Sequence, residues 1–222
     1  MDRFIDGGPM PGGARQSGFL LPRDVPIWLA ARPWLDVRSN DEHTLIAYRL
    51  GQALLGIHPA ADAAVVLPAI LLHDVGWKMF PPDRLALAIG PNAKYPELQR
   101  QHEIEGARIA RAALTQLDLP HVDIGRVIEI IDGHDTRKAP LSLEDALMKD
   151  ADKLWRFTGH GIATIGGWFG SEQKDTVAML EDFVLPSLLT EAGRAMAAAL
   201  LAEGAAAAWM KDLMTIEGTS HA

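Results

Sequence analysis

The chain has 222 residues, 48% of them hydrophobic and 23% charged, the balance of a soluble globule long enough for one large domain with its own core. It carries no cysteine, which excludes disulfides, thiolate metal sites and cysteine nucleophiles. Its 21 basic and 29 acidic side chains leave a formal charge of −8, which argues against duplex nucleic acid or an anionic membrane as the main partner.

Residues 1–24 read as a Gly/Pro-rich N-terminal arm. The start, Met1-Asp2-Arg3-Phe4-Ile5-Asp6, lacks the basic and apolar runs of a signal peptide. No stretch approaches the ~20 apolar residues that span a bilayer, so a soluble, cytoplasmic protein is expected. From about residue 25 the apolar residues recur with helical period and strand signals are nearly absent. Ser39 and Glu42 have capping-box spacing for a helix reaching about Leu55, with Gly56 just past its end. Pro59 is expected to open the next helix, which contains Pro68, reaches His73 and stops near Gly76. A short helix over 83–89 follows, then one over 96–117, one from Pro120 to about Gly133, and one over 143–158 capped by Ser142. Ser171 and Thr190 read as caps of two final helices. The last, over 191–214, carries Leu200, Leu201, Trp209 and Met210 and would pack on the core or on a second subunit. The expected fold is an all-α, compact multi-helix bundle: a helical core over 25–160 and C-terminal helices over 161–222.

Four of the eight histidines lie on apolar helix faces. His43 shares a face with Ala47, Leu50 and Leu54. His73 follows Val66 and Ala69, His102 precedes Gly106, Ile109 and Ala113, and His134 follows Val127 and Ile130. A single inward imidazole is ordinarily a satisfied core residue. Four in one modest core need partners for eight ring nitrogens, and a shared cation supplies them, neutral imidazole being the commonest metal ligand. Asp74, next to His73 at a helix end, adds a carboxylate able to bridge two cations. Asp150 and Asp152 follow on one helix. Two residues apart, they point in different directions, and the stripe of Leu147, Ala151, Leu154 and Trp155 lies nearer Asp150. Gly106, one turn after His102, would let another backbone approach closely.

In order, these residues read His43, Leu71-Leu72-His73-Asp74-Val75-Gly76, His102-Glu103-Ile104-Glu105-Gly106-Ala107, His134, and Lys149-Asp150-Ala151-Asp152-Lys153-Leu154. The series resembles the HD-domain superfamily of metal-dependent phosphohydrolases in its two-metal form, H…HD…H…H…D, over about residues 39–160. The resemblance implies a helical HD core in which His43, His73, Asp74 and Asp152 hold one metal ion. Asp74, His102 and His134 hold a second, with Asp74 bridging. The superfamily's last Asp follows an Ala and precedes Lys/Arg-Leu, which selects Asp152 over Asp150. Trp77 stands where many relatives carry Lys, and Lys78 is one further on. Trp77-Lys78 also replaces the acidic residues typical of the guanosine-alarmone and single-metal 5′-nucleotidase branches.

The function implied is phosphomonoester or phosphodiester hydrolysis of a small anionic, nucleotide-like substrate, with divalent ions acidifying water and polarising the phosphoryl group. The N/O donor set suits Fe, Mn, Co, Ni, Zn or Mg. Asp74 and Lys78 are the expected catalytic residues, and Lys78 and Arg137 the expected phosphate contacts, among candidates that also include Arg84, Lys94, Lys138 and Arg156. Asp135 is a candidate to orient a ligand or accept a proton. The same motif order resembles the mixed-valence di-iron oxygenases related to inositol oxygenase, and a non-catalytic metal- or nucleotide-binding regulatory module is the third reading.

Overall fold

A computed structural model describes residues 18–216 apart from 86 and 90–92. The described residues form helices and no strand, as the apolar periodicity requires. The α-helices are α1 (Val25–Ala31), α2 (Asn40–Ile57), α3 (Ala63–Leu72), α4 (Pro82–Leu85), α5 (Glu97–Leu117), α6 (Ile124–Ile131), α7 (Leu143–Leu154), α8 (Gly159–Phe169), α9 (Gln173–Met179) and α10 (Glu191–Ile216). No helix among these residues is long and apolar enough to cross a membrane. Most of the 1–24 arm lies outside the described residues.

α3 is the axis of the bundle. Every residue from Val65 to Leu72 is buried, Pro68 included, because α1, α2, α6 and α7 pack around it. A helix that is apolar all round has no solvent face to keep. Its first turn is fixed by Asp62, whose side chain accepts the Ala64 N–H at 2.9 Å. Its C-terminal end delivers His73 and Asp74 to the edge of the core.

The surrounding helices bury one face each. In α2 that face includes His43, Thr44, Ala47, Tyr48, Gly51 and Leu54. Tyr48 Oη donates to Asp24 Oδ2 at 2.7 Å and accepts the Leu21 N–H at 3.0 Å, tying the segment before α1 to α2. In α7, Ser142 accepts the Asp145 N–H at 3.3 Å as its cap. Thr190 Oγ1 accepts the Gly193 N–H at 2.9 Å at the start of α10. The first half of α10 rests on the core through Ala197 and Leu201, while Trp209, Met210 and Met214 are exposed.

Several helix ends differ from those read off the sequence. Ser39 has φ 56° and makes no side-chain cap bond, so the capping box does not form. Gly56 is inside α2 rather than beyond it, and α3 starts from Asp62 rather than Pro59. α6 starts from Asp123, which accepts the Arg126 N–H, not from Pro120. The helix expected over 143–158 ends at Leu154 and continues as a 3-10 turn, Trp155–Phe157. Thr158 then caps a separate helix, α8, by accepting the Gly161 N–H at 3.0 Å. Glu172, not Ser171, occupies the cap position of α9, which runs into a π-helical turn, Leu180–Val184. For α3, α6 and α8 a capping side chain, Asp62, Asp123 or Thr158, sets the start in place of the local signal.

Candidate metal centre

Two local devices aim imidazoles at one point. His73 sits just past α3, and its Nδ1 lies 2.8 Å from the Ile70 carbonyl oxygen. His134 follows α6, and its Nδ1 lies 2.9 Å from the Ile131 carbonyl oxygen. A carbonyl only accepts, so each ring carries a proton on Nδ1 and turns Nε2, the nitrogen left for a metal, inward. His43 comes from the second turn of α2 and His102 from α5, and all four rings are buried.

The inward nitrogens and carboxylate oxygens form two sets. In the first, His43 Nε2 lies 3.1 Å from His73 Nε2, 3.2 Å from Asp152 Oδ1 and 3.7 Å from Asp74 Oδ2. His73 Nε2 is 3.5 Å from Asp74 Oδ2 and 3.6 Å from Asp152 Oδ1. In the second, His102 Nε2 lies 3.2 Å from His134 Nε2, and each is 3.6 Å from Asp74 Oδ1. Asp135 Oδ2 joins this set at 3.8 Å from His102 and 4.0 Å from His134. Asp74 therefore gives one oxygen to each set.

Such an arrangement calls for positive charge between the donors, from ring protons or from a cation. Electron-rich donors face one another at close range in a buried volume, and on His73 and His134 the Nδ1 proton is spent on a backbone carbonyl. Burial would raise the carboxyl of Asp74, but His73, His134, His43 and His102 outweigh it and hold it far below the carboxylate range. Asp152 is likewise held low, chiefly by Arg156 and then by His43 and His73, against the effect of burial. Burial opposes protonation of His134, yet Asp135 and Asp74 push it up to about 10. Burial and His134 push His102 down to about 4. Ligands about 2.1 Å from a common ion stand roughly 3.0–3.4 Å from one another at right or tetrahedral angles, close to the separations within each set. The donors thus fit divalent metal ions.

The positions depend on close backbone contact between the turn after α3 and α5. A Cβ on Gly76 would overlap the His102 carbonyl oxygen and come within 2.6 Å of the Gly106 nitrogen. A Cβ on Gly106 would lie 3.0 Å from the His73 carbonyl oxygen. Two glycines at this crossing bring His102 beside Asp74. Trp77 closes the gap: its ring stacks on His102 at 3.9 Å and its Nε1–H donates to Asp74 Oδ1 at 3.1 Å. Buried Glu103 holds the turn after α6, accepting the Asp135 and Thr136 N–H groups at 2.7 Å each and the Thr136 hydroxyl at 2.6 Å. Lys149 donates to the Gly133 and Arg137 carbonyls of the same turn.

A cavity of about 260 Å³ opens on the cluster at Asp74, Asp135 and Asp152. Arg38 and Arg156 line it. Arg156 bonds Asp152 Oδ2 at 3.2 Å. Arg38 has φ 55°, a left-handed conformation continued by Ser39, and such strain is held only where surrounding structure enforces it. Its guanidinium lies 5.0 Å from the Trp77 ring centre and 4.6 Å from that of Trp168. Lys78 and Arg137, the expected phosphate contacts, do not line this cavity. Lys78 pairs with Asp36. Arg137 closes the end of α6, donating to the Asp132 carbonyl at 2.7 Å and to Asp145 at 3.1 Å; its place four residues past Gly133 makes it a clamp on that turn. Asp150 faces away from the cluster. It accepts the Leu189 and Thr190 N–H groups and the Thr190 hydroxyl at 2.7–2.8 Å.

Sequence reading missed Arg38, Asn40, Trp77, Glu103 and Lys149. Glu103 left a signal: it shares the 4-7-11 spacing with Ala107, Ala110 and Leu114, a charged residue on a buried face. Arg38 left none, because only its backbone conformation and tertiary setting aim it.

Scaffold and cluster together define an all-helical protein built round a buried His/Asp site of metal-ligating chemistry. The chain belongs to the HD domain family, whose model matches residues 40–156, more than half of the sequence. HD domains make up a superfamily of proteins that are commonly metal-dependent phosphohydrolases. No curated protein and no solved structure matches the chain.

Proposed function

We propose that the protein is a metal-dependent phosphohydrolase with a two-metal site, His43, His73, Asp74 and Asp152 holding one ion and Asp74, His102 and His134 the other. One observation carries this reading: the two oxygens of Asp74 each face a separate pair of Nε2 atoms. Divalent ions there would supply Lewis acidity and an activated water. The chain's own residues do the remainder. Arg38 and Arg156, at the cavity wall, bind the anionic oxygens of the substrate. Asn40 adds a donor, for its Nδ2 is buried at that wall without a partner. Trp77 fixes Asp74 through its Nε1–H and His102 through stacking. Asp135, with no hydrogen bond to its carboxylate among the described residues, is placed to hold a proton at Oδ2 as the leaving oxygen departs or water attacks.

The test pairs metal stoichiometry with phosphate release. Titration of metal-stripped protein with Mn²⁺ should give two equivalents, and the loaded protein should release phosphate from generic phosphoesters in the absence of dioxygen. One equivalent, or turnover that consumes dioxygen and stops anaerobically, would overturn it.

A further inference from the structure

The cavity has two chemically different ends. At one lie the carboxylates, Arg38, Arg156 and Asn40. The other is walled by Trp168, Phe169, Met179, Leu180 and Val184, with Trp155 between the two, its ring 4.6 Å from that of His43. All of these but Trp155 lie beyond the region shared with the family. They come from α8, α9 and the π-helical turn Leu180–Val184, a geometry frequent at functional sites. Apart from the indoles and the His43 ring, Asn40 and Gln99 are the uncharged polar side chains of the wall, and Asn40 is at the charged end, one turn before His43. A nucleobase or sugar seated against the far wall would leave ring nitrogens and hydroxyls without partners, a desolvation cost that a compact apolar group does not incur.

Resting on the hydrolase reading above, we infer that the ligand of this cavity is a phosphate monoester whose organic part is a compact apolar group, aryl or branched alkyl. The head lies between Arg38 and Arg156 against the His/Asp cluster, and the body against Trp168, Phe169, Met179 and Val184. Arg38 joins the two ends, since its guanidinium reaches both the Trp77 ring beside the cluster and the Trp168 ring of the apolar wall.

Trp77, Trp155 and Trp168 line the cavity, so binding is readable as a change in tryptophan fluorescence without turnover. The probes are phenylphosphonate, which has a non-hydrolysable P–C bond, methylphosphonate, and adenosine 5′-monophosphate, each added to the protein as purified with its metal. Phenylphosphonate should bind roughly tenfold or more tighter than methylphosphonate. Phe169→Ser, at an exposed position, and Val184→Thr, a near-isosteric change at a half-buried one, should erase most of that difference while leaving methylphosphonate binding unchanged. Equal binding of the two phosphonates, or tighter binding of the nucleotide, overturns the inference and leaves the hydrolase reading standing. Tight phenylphosphonate binding with no release of phosphate from phenyl phosphate upholds the inference and overturns the hydrolase reading.

Discussion

Asp74 is the residue on which most depends, because one carboxylate serves two groups of imidazoles. Asp74→Ala should reduce metal content below half that of the native protein in elemental analysis, more than any other single ligand change, while His58→Ala should leave it unchanged. Equal loss in both variants would remove Asp74 from its central place. Glu103 acts one step back. Its carboxylate accepts four hydrogen bonds, counting Arg100 at 2.9 Å, and these outweigh burial and hold its carboxyl below its ordinary value. In Glu103→Gln an amide group takes the place of one accepting oxygen and faces donors with a donor. The expected loss is about 1–3 kcal/mol in urea unfolding, with metal affinity roughly tenfold or more weaker as the turn bearing His134 and Asp135 loosens.

Helices and turns set the distances that the residues exploit. The crossing of the turn Val75–Met79 over α5 requires glycine at 76 and leaves little room for a side chain at 106. Gly76→Ala places a methyl group into a backbone carbonyl and should cost more than about 2 kcal/mol. Gly106→Ala, whose Cβ would lie 3.0 Å from the His73 carbonyl oxygen, should cost less. Gly56→Ala provides the contrast. It lies within α2 with nothing within 4 Å of the added methyl and should stabilise by about 0.4–1 kcal/mol. Denaturant midpoints of the three variants check this order.

At the scale of the molecule, α3, α6 and α7 are held together at their ends by charge as well as by the core. Glu144 at the start of α7 accepts the Asp62 N–H at 3.2 Å and pairs with Arg126 of α6 at 3.0 Å. Burial would raise its carboxyl, but backbone hydrogen bonds, Ser142 and Arg126 outweigh that and hold it at about 2. A carboxyl held below its unfolded value contributes stability that is complete above about pH 4.5 and is lost as pH falls toward about 2. Glu144→Gln should therefore be less stable than the native protein at pH 7, and the two should converge as acid is added. Parallel stability curves over that window would refute the linkage.

The sequence by itself determined the all-helical class and the four inward imidazoles, because a period of 3.6 residues writes each buried face into the spacing of its apolar neighbours. It also held the order of ligand motifs that carries the family resemblance. Tertiary structure showed the physical difference between neighbours that periodicity leaves equivalent, where the resemblance had already favoured Asp152. Asp152 faces His43 and His73, while Asp150 two residues earlier binds the start of α10, a segment about 40 residues away in the chain. The same holds for the cations. Lys78 and Arg137 sit near ligand motifs in sequence yet point elsewhere, whereas Arg38 reaches the cavity through a left-handed backbone and two indole rings. Local spacing fixes which way a side chain leaves its own helix. What it meets there depends on contacts between segments far apart in sequence, and no local pattern encodes those.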